Sequence, residues 1–62
     1  MTIYNVNLHL GQALVEAESE EQAEDYSCKE WGEYNAPFRV EEATEDAISW
    51  VLGMGGIIHH AN

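Results

Sequence analysis

The stretch Thr2–Ala23, TIYNVNLHLGQALVEAESEEQA, decides the fold. It opens with an alternation. Tyr4, Val6, Leu8 and Leu10 point one way, and Ile3, Asn5, Asn7 and His9 the other, the period of a strand with one buried face. Gly11-Gln12 reads as a tight turn. Ala13, Val15 and Ala17 then share one face of a second, antiparallel strand; one long strand bent at Gly11 is the alternative. Ser19-Glu20-Glu21-Gln22 is a capping box, in which the Ser19 hydroxyl accepts from the Gln22 amide and the Gln22 side chain reaches back. The hydrophobic period thus changes from 2 to 3.6 within a few residues.

Downstream of the box, a helix is expected to run to about Glu30 or Tyr34. Ala23, Tyr26, Trp31 and Tyr34 fall in one stripe at helical spacing. Glu21, Glu24, Asp25 and Cys28 lie towards the opposite side, and Lys29 is four residues from both Asp25 and Glu33. Asn35-Ala36-Pro37 ends the helix, because the residue before a proline is pushed out of helical geometry. Phe38–Glu41 alternates again as a short strand, with Pro37 marking an edge position or a strand start. Thr44 caps a second helix from Glu45 to about Leu52, with Ala47, Ile48, Val51 and Leu52 as its buried stripe and Trp50 at the flank. Gly53, Gly55 and Gly56 end that helix, and Ile57–His60 follows as a short apolar tail, a strand or a docked coil. The expected fold is α+β in the order β-β-α-β-α: a small three-stranded, antiparallel-type sheet with both helices packed on one face.

The 62 residues make a single domain, 1–62, of a size whose core is marginal on its own. One cysteine rules out an intrachain disulfide and fits a reducing cytosol. A homodimer would enlarge the core. The start of the chain has no basic stretch followed by an apolar run, and no span approaches a membrane helix in length. Cytoplasm is the expected location.

Twelve carboxylates face two cations, for a formal net charge of −10. All twelve lie between Glu16 and Asp46, as do Lys29 and Arg39. The flanking segments 1–15 and 47–62 carry no charged side chain apart from histidines. With 45% apolar residues and six aromatics, the chain is too rich to be a disordered acidic tail.

Few chemistries survive this composition. The adjacent acids Glu20-Glu21, Glu24-Asp25, Glu41-Glu42 and Glu45-Asp46 fall on outward faces and in first helical turns, where water and the helix dipole keep them ionised. A catalytic pair needs two carboxyls in different environments. His9, His59, His60 and Cys28 match no zinc spacing, and no calcium loop is present, so neither metal nor cofactor is expected. Nearby carboxylates would raise a Cys28 thiol pKa rather than activate it, and a small, at least half-buried side chain is its structural reading. Gly53-Met54-Gly55-Gly56 follows a helix instead of opening one, unlike a phosphate loop. Two cations cannot neutralise a phosphate lattice, which excludes direct nucleic-acid binding. The chain is not expected to be an enzyme.

The inverse role remains. Acids at Glu16, Glu18, Glu21, Glu24, Asp25, Glu41 and Glu42 could imitate the charge of one nucleic-acid strand, with a partner's arginines bonding carboxylate in place of phosphate. The run Leu14–Ala23, strand, Glu-Ala-Glu-Ser and amphipathic helix, together with the short length and the net charge, resembles the small acidic anti-defence proteins encoded by phages, anti-CRISPR proteins of the DNA-mimic kind among them. That resemblance implies an inhibitor of a basic, DNA-binding host protein, a Cas effector subunit for instance, acting in the host bacterial cytoplasm. It assigns no role to any single residue. The alternative is a non-mimic interaction module, a regulatory subunit or antitoxin-like partner, that binds through Trp31, Trp50, Tyr34 or Ile57-Ile58.

Overall fold

The computed structural model describes residues 1–61. Its elements run β1 (Thr2–Leu8), β2 (Gly11–Ala17), α1 (Glu20–Trp31), β3 (Pro37–Glu42), α2 (Glu45–Gly53) and β4 (Ile58–His60), an α+β arrangement. β1 and β2 form an antiparallel hairpin in which Thr2 faces Ala17 and Leu8 faces Gly11. The turn is His9-Leu10, two residues earlier than expected, and Gly11-Gln12 already belong to β2. Gly11 has a φ of 125°, a value that L side chains avoid, so the glycine serves the exit from the turn. Leu10 consequently leaves the apolar face of β1 and is exposed.

The sheet has four strands in the order β3-β1-β2-β4, not three. β3 pairs antiparallel with β1, with a register shift between Asn7 and Leu8. β4 pairs parallel with β2, setting Leu14 against Ile58, Val15 against His59 and Glu16 against His60. The sheet is therefore mixed, and the apolar tail is its fourth strand. Three residues are too few to reveal a strand by alternation, and the partner strand is 44 residues away in the chain. Pro37 opens β3 at the sheet's edge, where its missing N–H costs no ladder bond.

The helices do not share a face. β2, β3 and β4 run in one direction, so β2–α1–β3 and β3–α2–β4 are crossovers that move across the sheet in opposite senses. Two right-handed crossovers of opposite sense use opposite faces. Burial agrees with that rule. Val6, Leu8, Ala13, Val15 and Ala17 meet Ala23 of α1 in one cluster, flanked by Tyr4, Tyr26, Trp31, Val40 and Ala61. Leu14 points to the other face by strand alternation, yet it is fully buried, and α2 packs against β2 there. The consecutive apolar run Ala13-Leu14-Val15 is the sequence sign of a strand covered on both sides.

Local signals are kept with small changes. The Ser19 Oγ accepts from the Gln22 amide at 3.1 Å, but the Gln22 Oε1 accepts from the Glu18 amide at 2.7 Å rather than from that of Ser19. Thr44 Oγ1 accepts from Ala47 N at 3.1 Å. α1 ends at Trp31, so Tyr34 falls beyond its stripe and is exposed. The buried positions on α1 are Ala23 and Ser27; the Ser27 hydroxyl donates to Ala23 O at 2.8 Å, while Cys28 is exposed rather than buried. On α2, Ala47, Ile48 and Val51 are half-buried, Leu52 and Trp50 are exposed, and no residue is fully buried.

Candidate acidic interface

Parallel strands leave the sheet on the same side. The C-terminal ends of β2 and β3 lead directly into α1 and α2, so both helix N-termini lie at this strand-exit end. Seven carboxylates come with them. Glu16 and Glu42 occupy the last rows, level with Ile3 and Tyr4. Glu18, Glu20 and Glu21 make the passage into α1, and Glu45 and Asp46 the first turn of α2. The two helix dipoles together contribute about +1 charge, far short of neutralising seven carboxylates.

The residues singled out from sequence are divided by this geometry. Glu18, Glu21 and Glu42 are exposed at the strand-exit end. Glu24 and Asp25 are exposed along α1, extending the acidic surface away from that end. Glu24 and Glu20 line a polar cleft of about 290 Å³ between α1 and β3, shared with Pro37, Phe38, Arg39 and Val40. Glu16 and Glu41 are half-buried and already have partners. Glu16 Oε1 is 2.9 Å from His60 Nδ1, a contact that ties β2 to β4. Glu41 lies mid-strand, accepts from Asn7 Nδ2 at 3.4 Å and faces Arg39 at 3.4 Å.

Counter-charge is scarce. Lys29, four residues from Asp25 and Glu33, forms no ion pair among the described residues. Arg39 is taken up by Glu41. Arg39 also lines the cleft beside Glu20 and Glu24, Met1 stands at this end one residue before Thr2, which faces Ala17, and His60 meets Glu16 there. Glu20, Glu45 and Asp46 have a local explanation as first-turn acids, yet the topology adds them to the same end. Only the direction of β3 relative to β2 reveals this, and that direction is a long-range property.

His59 and His60 point to opposite faces of β4 as strand neighbours must. His59 packs against Trp31 with centroids 5.0 Å apart and planes at 83°, and Tyr26 meets Trp31 edge-on at 5.9 Å. No group of three potential metal ligands forms among the described residues, and none of their helices is long and apolar enough to cross a membrane. The second cleft, of about 510 Å³, is lined by Gly11, Gln12, Trp50, Val51, Met54 and Gly56 and holds no titratable group. No protein-family model, curated protein or solved structure matches this chain.

Proposed function

We propose that the protein binds a cationic, nucleic-acid-binding surface of another protein and occupies it in place of DNA. The partner class implied by the resemblance of Leu14–Ala23 is a host defence protein, with a CRISPR-Cas effector subunit as the leading case and the bacterial cytoplasm as the site of action. The protein acts as an inhibitor and not as an enzyme. The observation that carries this reading is the gathering of seven carboxylates at the strand-exit end, with Glu24 and Asp25 continuing the charge along α1. Such a surface offers arginine and lysine charge-assisted bonds and draws a positive partner in by its field.

Binding to a purified effector complex, with duplex DNA as competitor, tests the reading. DNA and the protein are expected to exclude one another, and affinity is expected to fall as salt rises. Reversing Glu18, Glu21 and Glu24 to lysine should remove inhibition and leave the circular dichroism unchanged. Simultaneous binding of DNA, or affinity indifferent to salt, would overturn the mimicry. Glu16 and Glu41 are poor choices for this test because each holds an internal contact.

Exposed apolar residues favour a second reading, the non-mimic interaction module. Tyr34, Trp50 and Ile57 are free to act as anchors, being 83%, 59% and 64% exposed. Trp31 is not, since it packs between Tyr26 and His59. Salt-resistant binding lost in Trp50→Ala would identify this mode.

A further inference from the structure

β3 is an open edge of the sheet. It pairs with β1 on one side only, and β4, the other edge, is three residues long. The Ala43 amide donates to Ile3 O at 2.9 Å, which makes Ile3 and Ala43 a hydrogen-bonded pair of the antiparallel ladder. Pairs of that kind alternate with pairs whose N–H and C=O groups point away from each other. By the register, Tyr4 with Glu42 and Val6 with Val40 are of the second kind. The main-chain groups of Val40 and Glu42 therefore point outward from the sheet, and no strand covers them. The cleft of about 290 Å³ between α1 and β3 lies beside this edge, with Phe38 and Val40 on the strand side and Glu20 and Glu24 on the helix side. Phe38 is 72% exposed.

We infer that β3 accepts an extended basic segment of a partner protein as a fifth strand, with arginine or lysine side chains entering the cleft beside Glu20 and Glu24. The inference rests on the reading of a cationic protein partner and adds the mode of binding. Strand addition draws affinity from main-chain hydrogen bonds and specificity from pockets for alternate side chains. Here the main-chain groups are those of Val40 and Glu42. Val40 packs in the cluster under α1, so every second side chain of an added strand points to the side on which Glu20 and Glu24 stand. Spacing agrees with that placement. Glu20 and Glu24 are about 6 Å apart along the helix axis, and alternate side chains of a strand are about 6.6 Å apart. Two basic residues with one residue between them thus meet one carboxylate each. Phe38 offers a ring face to such side chains. Arg39, the cation at the cleft, has its guanidinium 3.4 Å from Glu41 and leaves both carboxylates to the partner. Charge also says what does not dock here. A second copy would bring Glu41 and Glu42 of its own β3 against these acids, and like charges opposite one another destabilise a strand pair.

Binding of a synthetic peptide of about ten residues, alternating arginine and threonine, to the full chain tests the inference. Fluorescence anisotropy reads the affinity, and amide exchange reads the site. Exchange of the Val40 and Glu42 amides is expected to slow in the complex. N-methylation of the peptide at all arginines, or at all threonines, keeps every charge. The version whose methyl groups face β3 should bind roughly tenfold more weakly, and the other should bind like the parent peptide. Glu20→Gln combined with Glu24→Gln should weaken binding by roughly tenfold. Glu42→Pro, at an edge position whose N–H faces away from β1, should weaken it more than Glu42→Gln does. Equal binding by the parent and both N-methylated peptides would mean that charge alone holds the peptide, and would overturn the inference. Unchanged exchange at Val40 and Glu42 would do the same. Slow exchange of these amides without peptide, growing with protein concentration, would make a second copy the occupant and also overturns it. Exclusion of DNA is read in a separate experiment and does not depend on the main chain of β3, so the failure of either reading is told apart from the failure of the other.

Discussion

Ser27 shows how a single position reconciles packing with polarity. It is fully buried among apolar neighbours, and it is small enough to let α1 approach the sheet. Its hydroxyl returns to Ala23 O within the same helix, so no unsatisfied donor is left. Ser27→Ala should change stability by about 1 kcal/mol or less, since the hydroxyl and its bond go together. Ser27→Leu should cost about 1–3 kcal/mol through overpacking. Urea denaturation of the pair separates a role in size from a role in hydrogen bonding, and a large loss in Ser27→Ala would contradict the account. Cys28, its neighbour in sequence, turns outward, which one step of 100° on a helix accomplishes.

Among the elements, α2 is a helix with no fully buried residue. Leu14 is fully buried on the face that α2 covers, whereas the helix itself has only half-buried residues to offer. Leu14→Ala should cost about 2–5 kcal/mol and lower helical ellipticity as α2 loosens. Val15, one residue on, supports α1 instead, so Val15→Ala should disturb the near-ultraviolet signal of Trp31 and leave that of Trp50 largely unchanged. Identical spectra for the two variants would mean that the helices share one packing layer. At the start of α1, Ser19→Ala should cost about 1 kcal/mol, because the Gln22 amide loses its acceptor. The Gln22 side chain would still hold Glu18 N.

For the whole molecule, charge and size set the behaviour in salt. The principal extents are 27 × 24 × 17 Å. At about 0.01 M salt the screening length is near 30 Å, so every carboxylate repels every other; near 0.15 M it is about 8 Å, and only neighbours interact. The urea midpoint should therefore rise with sodium chloride, most steeply at low salt, while binding to a cationic partner weakens over the same range. A midpoint that fell with salt would mean that attractive pairs outweigh repulsion. The ion pairs argue against that balance: Arg39–Glu41 and His60–Glu16 have partners exposed by 31% to 67%, and such surface pairs contribute about 0–1 kcal/mol each.

The sequence alone determined what short range controls. Alternation from Thr2 to Leu8, the Ser19 and Thr44 caps, Pro37 at the opening of β3 and the confinement of acids to Glu16–Asp46 all follow from neighbours a few residues apart, where backbone geometry sets the period. The tertiary structure decided which way things face. Ile58–His60 became a parallel strand only because β2 offered it a free edge, and Leu14 found cover only because the second crossover returned over the opposite face. Seven of the twelve acids gathered at one end for the same reason: strands running in parallel deliver their ends, and the residues that follow, to one side of the sheet. No local pattern carries that information, because strand direction is chosen by contacts between segments far apart in the chain.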